Sequence, residues 1–287
     1  MMQGYLDQFE TLDARQFEIA VKRLANDLSY GTDASPFVGS GVEYVQSRLY
    51  QPGDPVRAID WHVTARTGKP YIKEFEAPKR MPVYLLVDTS ASMTISSLKH
   101  SKYFWAVHIA GGLALACLDR VSPVGVLGVG GRQMHLKPSL SKPQIMQWLS
   151  RLRHYTFDEP TSLHRRLTEL LPTLPSRALL MVISDLHEPQ AIDTLKYAGQ
   201  QHDCVAIQLR DPVERGQRGV GFVRLAESET GQRRTAYNIR PVHSQEALSG
   251  QLRRAGIDHL LLDCDMPISQ PLRRFFKSRG LLGKGAR

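Results

Sequence analysis

Asp88, Ser90 and Ser92 alternate in Asp88-Thr89-Ser90-Ala91-Ser92, directly behind the apolar run Val83-Tyr84-Leu85-Leu86-Val87. A buried strand that ends this way delivers one carboxylate and two hydroxyls to a single loop. These are hard oxygen donors, suited to Mg²⁺ (or Mn²⁺) rather than to zinc. Two further oxygen groups stand in comparable settings. Thr161 lies in the polar loop Asp158-Glu159-Pro160-Thr161-Ser162, and Asp185 follows a second apolar run, Leu179-Leu180-Met181-Val182-Ile183-Ser184. Any one of these residues taken alone reads as a helix N-cap or an ordinary loop residue. As a set they offer three oxygen-rich loops to one cation.

Other chemistries find less support. Ser184-Asp185-Leu186-His187-Glu188 resembles the Asp-x-His opening of calcineurin-like metallophosphoesterases. The Gly-Asn-His and Gly-His-x-His blocks that would assemble two metals are missing. A haloacid-dehalogenase reading of Asp88 fails because Ser90 stands where a second aspartate would serve as general acid. No Gly-x-x-x-x-Gly-Lys-[Ser/Thr] element occurs, so the chain is not expected to be an ATPase itself. Cys117, Cys204 and Cys264 are far apart in apolar runs and read as buried reduced thiols. The ten histidines show no zinc spacing.

The chain has 287 residues, 42% of them hydrophobic and 23% charged, as in a soluble globular protein. Residues 1–10 show neither a basic nor an apolar region of signal type. The longest apolar stretch, residues 105–118, is interrupted by His108 and too short to span a bilayer. A cytoplasmic protein without membrane association is the expectation. The net charge is +9 and unevenly spread. From residue 266 on there is no acidic side chain, while Arg273, Arg274, Lys277, Arg279, Lys284 and Arg287 are basic. With Phe275 and Phe276 this tail suggests, as the alternative reading, nucleic-acid binding by stacking and phosphate neutralisation, although helical spacing turns those rings toward a core. Asp88, Asp158, Glu159, Asp185 and Glu188 form the opposite, an acidic island around the proposed cation site.

The elements that must position this site follow from periodicity. Residues 12–28 carry Phe17, Ala20, Val21, Leu24 and Leu28 at helical spacing. Residues 43–50, 56–64 and 71–75 read as strands, the first two joined by the turn Gln51-Pro52-Gly53-Asp54-Pro55. Alternation in the second puts Ile59, Trp61 and Val63 on one face. From residue 81 strands and helices alternate: strands at 83–87, 124–129, 133–137, 178–184, 203–209 and 258–263, helices at 98–119, 141–152, 162–171, 189–201, 244–255 and 269–279, with a polar hairpin near 220–238. This predicts an α/β fold with a mostly parallel sheet, helices on both faces and ligands at the carboxyl ends of the strands. Two domains are expected: 1–80, an N-terminal helix with a small β-rich unit, and 81–287, the α/β domain.

Asp88, Ser90, Ser92, Thr161 and Asp185 together resemble the metal-ion-dependent adhesion site of von Willebrand factor A domains. A longer resemblance runs through Ser47-Arg48-Leu49-Tyr50-Gln51-Pro52-Gly53-Asp54, Arg57-x-Ile59-Asp60-Trp61, Ala65-Arg66-Thr67 and Lys73-Glu74-Phe75-Glu76 into Asp88-x-Ser90-x-Ser92-Met93. It is similar to the bacterial domain-of-unknown-function family number fifty-eight, over residues 35 to about 280. That resemblance implies a von Willebrand factor A-like (Rossmann-like) domain and, by association, a MoxR-type AAA+ ATPase as partner. It further implies a non-catalytic adaptor or co-chaperone that helps mature an unknown client complex. Longer relatives carry transmembrane helices ahead of this region, and the chain resembles the short soluble branch. By position, Asp88, Ser90 and Ser92 match the first metal motif, Thr161 the second and Asp185 the third. Pro160 replaces the usual glycine before Thr161, so Ser162 is an alternative hydroxyl. In the element Gly53, Asp54, Arg57, Asp60, Trp61 and Arg66, Trp61 and Ile59 read as core anchors and Asp60 as the ion-pair partner of Arg48, Arg57 or Arg66. A partner-binding role is the alternative.

Overall fold

The structure is a computed structural model and describes residues 3–5, 14–29, 43–52, 54, 56–76, 81–131, 135–156, 160–174, 177–215, 223–226, 233–236 and 245–279. The chain forms two compact units, one comprising Met1–Thr32 with Met81–Arg287 and the other Asp33–Arg80. The larger unit opens with β1 (Gln3–Tyr5) and α1 (Ala14–Ser29). The smaller contains β2 (Glu43–Leu49), α2 (Trp61–Thr67) and β3 (Tyr71–Glu76). The larger then continues with β4 (Val83–Val87), α3 (Ala91–Thr94), α4 (Lys102–Asp119), β5 (Val124–Gly128) and β6 (His135–Ser139). Next come α5 (Lys142–Leu152), β7 (His154–Thr156), α6 (Leu163–Leu170), β8 (Leu179–Ser184) and α7 (Pro189–Gln201). It closes with β9 (Asp203–Arg210), β10 (Val223–Ala226), β11 (Arg233–Ala236), α8 (Gln245–Arg254), β12 (Asp258–Asp263) and α9 (Ser269–Arg279).

Six strands form the central sheet in the order β12-β9-β8-β4-β5-β6, parallel throughout except for β6. From β4 the chain builds outward through β5 to β6, then returns to the other side of β4 with β8, β9 and β12. The order therefore reverses between β4 and β8, the place where such sheets open a crevice at their carboxyl edge. Both strands are buried along their whole length, which explains their unbroken apolar runs. Side chains of β4 alternate between two cores. Val83, Leu85 and Val87 pack with residues of α1, α4, α5 and α9, while Tyr84 and Leu86 pack with α6, α7 and α8. Helices thus cover both faces.

The elements expected from residue 81 onward are all present within a few residues. Before that point two expectations are corrected. The helix at 14–29 does not belong to an N-terminal domain 1–80. It packs on α4, where Gly111 and Gly112 leave room for it: a Cβ on Gly112 would lie 2.7 Å from Leu24 Cγ. Residues 56–64 are not a strand. Val56–Ala58 is a single 3₁₀ turn, Ile59 makes one bridge to Ile72, and α2 begins at Trp61. Asp60 starts that helix by accepting hydrogen bonds from the backbone N–H groups of His62 and Val63, and Gly68 ends it in the left-handed region. Trp61 is consequently no core anchor, being 66% exposed on the first turn. All three cysteines are buried and free, as expected. Among the described residues no helix is long and apolar enough to cross a membrane.

Candidate metal centre

The carboxyl ends of β4 and β8 carry four of the predicted donors, Asp88, Ser90, Ser92 and Asp185, into one cluster. Asp88 leaves β4 with its backbone N–H bonded to Ile183 O of β8 at 2.9 Å. Its Oδ1 accepts from Ser90 N at 3.0 Å, an Asx turn that points the chain into α3. Its Oδ2 accepts from Ser184 Oγ at 2.5 Å. Ser90 Oγ and Ser92 Oγ are 3.0 Å apart, and Ser92 Oγ donates to Asp185 Oδ2 at 2.9 Å. Four of the five predicted ligands are therefore joined by hydrogen bonds at the reversal point of the sheet. Thr161 is half-buried, one residue ahead of Ser162. Ser162 is tied by its N–H to Val129 O and by its hydroxyl to Gly130 O at 2.6 Å, at the end of β5. That engagement turns the Ser162 hydroxyl onto backbone.

The donor set fits a hard cation. With Mg–O bonds of about 2.0–2.1 Å, neighbouring ligands of an octahedron stand about 2.9 Å apart. The Ser90–Ser92 and Ser92–Asp185 separations of 3.0 and 2.9 Å have that spacing. Electrostatics divides the two aspartates. Burial, with the nearby Asp185 charge, pushes the Asp88 carboxyl up to about 7, against the hydrogen bonds from Ser184 and Ser90. Burial also works to raise Asp185. The charges of Lys102 and His187 and the hydrogen bonds from Lys102 and Ser92 outweigh it and hold that carboxyl down at about 2.

Lys102 was not legible as a site residue. It is the first residue of α4, 2% exposed, and its Nζ donates to Asp185 Oδ2 at 2.9 Å and to Glu214 Oε1. Burial would lower its pKa, but the two carboxylates outweigh burial and raise it. Glu214 sits on the 3₁₀ turn Pro212–Arg215 behind β9. Asp211 fastens that turn to the loop ahead of α4, accepting from Ser96 Oγ at 3.0 Å and Ser97 N at 2.9 Å. Behind Asp185, Gln208 Nε2 donates to the Asp185 carbonyl at 3.2 Å while its Oε1 accepts from Gln245 and faces His259 Nε2. The only advance signal for Lys102 was a lone cation opening an otherwise apolar helix, at the dipole end that disfavours it.

The sequence profile of the family described as Protein of unknown function DUF58 matches residues 46–252, more than half of the chain. The chain belongs to the DUF58 family. It is 28% identical over 275 residues to the uncharacterized proteins Rv1480 of Mycobacterium tuberculosis and Mb1516 of Mycobacterium bovis, covering 93% of this chain and 86% of each relative. Among solved structures it is similar to the conserved hypothetical protein BatB from Bacteroides thetaiotaomicron, at 16% identity and a TM-score of 0.44 over 69% of this chain and 99% of that one. An uncharacterized membrane spanning protein from Vibrio fischeri matches at 14% identity and a TM-score of 0.24, over 68% of this chain and 95% of that one.

The DUF58 match includes both the loops that carry Asp88, Ser90, Ser92 and Asp185 and the smaller unit's motif, and in that motif several sequence expectations change. Asp54, not Asp60, takes the arginine: Arg48 Nη1 and Nη2 bond its two oxygens at 2.8 and 2.9 Å. Asp54 also accepts from Gln51 N, which closes the turn. Asp60 accepts from Ser47 Oγ at 2.7 Å and caps α2 instead of forming an ion pair. Arg66 is exposed in the last turn of α2. Arg57 lies in the 3₁₀ turn, and Gly53 falls outside the described residues, as do Asp158 and Glu159. Glu188 accepts from His164 N at 3.1 Å, in the first turn of α6. In this DUF58 chain Phe276 is fully buried, which removes its ring from base stacking, and Phe275 packs partly buried against the core. Asp185, His187 and Glu214 offer donor atoms within 4.8 Å of one another, but two of the three already bind the Lys102 ammonium.

Proposed function

We propose that this DUF58 chain is a non-catalytic, divalent-cation-dependent protein-binding module whose larger unit is von Willebrand factor A-like. It acts as an adaptor or co-chaperone of a MoxR-type AAA+ ATPase in maturing another protein complex. The observation that carries the reading is the hydrogen-bonded set Asp88, Ser90, Ser92 and Asp185 at the β4/β8 reversal. A Mg²⁺ or Mn²⁺ ion held there by Ser90, Ser92, Thr161, Asp88 and Asp185 supplies an electropositive point for a partner's carboxylate. The chain's own residues provide the rest. Ser184 and Ser90 orient Asp88, Gln208 holds the Asp185 backbone, and Asp211 fixes the loop that leads into α4.

The non-catalytic half of the reading is supported by the hydroxyls themselves. Ser90 and Ser92 hydrogen-bond each other, Ser92 donates to Asp185, and among the described residues neither hydroxyl is bonded to a histidine. The ATPase partner rests on the association of the family. A pull-down from native lysate with Mg²⁺ or with EDTA tests the whole. Metal-dependent recovery of an AAA+ ATPase, lost in Ser90→Ala/Ser92→Ala, supports the adaptor. Recovery indifferent to EDTA removes the cation from partner recognition.

A further inference from the structure

Lys102 places a buried ammonium inside a site built from acidic oxygens. Two features make this arrangement informative. First, Asp185 Oδ2 already accepts from both Ser92 Oγ and Lys102 Nζ. A divalent ion on that oxygen would stand no more than about 5 Å from Nζ, the 2.9 Å hydrogen bond plus a metal–oxygen bond of about 2.1 Å. In a site where Asp88, Lys102 and Asp185 are each at most 2% exposed, repulsion at that distance is strong. Second, Lys102 has another acceptor that the cation ligands do not use. Glu214 Oε1 accepts from the same Nζ, and its turn is fixed on both sides. Asp211 binds Ser96, Ser97 and Val213, and Arg215 pairs with Asp263 and Asp265.

We propose that Lys102 is the residue that sets the cation affinity of this site: a tethered counter-cation that holds Asp185 in the metal-free protein, gives that oxygen up and stays with Glu214 when a divalent ion enters, and so keeps the ion exchangeable. The inference deepens the cation-dependent reading and rests on it. The chain carries three carboxylates here, Asp88, Asp185 and Glu214, against one fixed positive charge. With Lys102 in place, part of the charge that would draw in a divalent ion is already neutralised. Without it, Asp185 and Glu214 keep the exposed imidazole of His187 beside them, at 3.4 and 3.9 Å, and an entering cation meets less competing charge. A lysine at the first position of an 18-residue helix works against the helix dipole, so the two carboxylates, not the helix, hold it there.

The test is Mn²⁺ binding to the full chain, followed by electron paramagnetic resonance of the free ion, together with thermal melts with and without Mn²⁺. Lys102→Met, which keeps the stem and removes the charge, is expected to tighten Mn²⁺ binding at least tenfold and to enlarge the thermal shift that Mn²⁺ produces. Lys102→Arg should retain wild-type affinity. Glu214→Gln, which takes away the position to which the ammonium retreats, is expected to weaken Mn²⁺ binding about tenfold, and it carries the test by itself if Lys102→Met fails to fold. A merely structural ion pair would lower the melting temperature of both variants without moving Mn²⁺ affinity. Equal affinity in wild type and Lys102→Met, or unchanged affinity in Glu214→Gln, overturns the proposal while the cation site stands. Absence of Mn²⁺ binding in every variant at millimolar concentration sinks the cation site and the proposal together.

Discussion

Ser184 Oγ donates to Asp88 Oδ2 at 2.5 Å, across the boundary between β8 and β4. The same hydroxyl accepts from Leu186 N at 3.0 Å, and Leu186 is held in the left-handed region at φ 57°. Such a conformation costs a non-glycine residue on the order of 1–3 kcal/mol and persists where neighbours impose it. Here it turns the chain sharply behind Asp185 while both aspartates stay fixed at the strand ends. Ser184 therefore couples the two loops that a cation would have to bridge.

The first expectation follows from that coupling. Asp88→Asn keeps the size of the side chain and removes its charge, and calorimetric titration with Mg²⁺ or Mn²⁺ should show no binding. Ser184→Ala retains every proposed ligand but loosens Asp88, and should weaken binding several-fold. Wild-type affinity in Asp88→Asn would exclude Asp88 from the site.

The gathering of Asp88, Ser90, Ser92 and Asp185 was legible because sequence and topology coincide there. An apolar run that ends in Asp88 or in Ser184-Asp185 places a polar loop at the carboxyl end of a buried strand, whatever the rest of the chain does. Lys102 and Glu214 were not legible as site residues, because a lysine at the start of an apolar helix is a faint signal and a glutamate in a short turn reads as solvated surface. Their meaning depends on how two loops from different strands meet. Residues 56–64 misled for another reason. Ile59, Trp61 and Val63 alternate like a strand, yet Asp60 and Gly68 bracket a seven-residue helix as N-cap and C-cap, and those terminal signals outweighed a short alternation. The packing of α1 left its trace elsewhere, in the Gly111-Gly112 pair of α4.

Trp61 provides a direct check on the corrected small unit. Its side chain is 66% exposed on the first turn of α2, so Trp61→Ala should change unfolding free energy by no more than about 0.5 kcal/mol, as surface changes do. Asp60→Ala, one residue earlier, removes the cap of α2 and the partner of Ser47 and should lower the melting temperature clearly more. The reverse order in thermal melts would restore Trp61 as a core residue.

The α1–α4 contact makes a separate prediction about stability. A side chain at Gly112 meets Leu24 Cγ at 2.7 Å and Leu24 Cβ at 3.1 Å, close to the stem of that residue, where little can swing aside. Replacing a helical glycine gains up to about 1 kcal/mol of propensity. Overpacking costs about 1–3 kcal/mol, and valine has little of the propensity gain because of its branched Cβ. Gly112→Val should therefore destabilise by about 1–3 kcal/mol in urea unfolding. Neutral behaviour would mean that α1 does not dock on α4 as described.

The protonation of Asp88 predicts how cation binding depends on pH. Burial and the charge of Asp185 raise its carboxyl from 3.8 to about 7, so the metal-free protein retains a proton there over a range in which the unfolded chain has lost it. Below about pH 4 both states hold the proton and the stabilisation is fully present. As pH rises through about 7 the folded state must ionise a buried carboxyl, and that stabilisation is lost. A cation binds the ionised form and must displace the proton. Affinity should accordingly fall about tenfold for each pH unit below 7 and level off above it, whereas Asp185, held down at about 2, adds no slope in this range. Thermal melts should show metal-free protein losing stability between about pH 4 and 7 and levelling off above that, with Mn²⁺ restoring it. Because His187 Nδ1 lies 3.4 Å from Asp185 Oδ2, the Mn²⁺ titrations are compared in a His187→Gln background. Affinity that stays flat from pH 5.5 to 7 in that background would show that no proton leaves Asp88 on binding, and Asp88 would then not be a cation ligand.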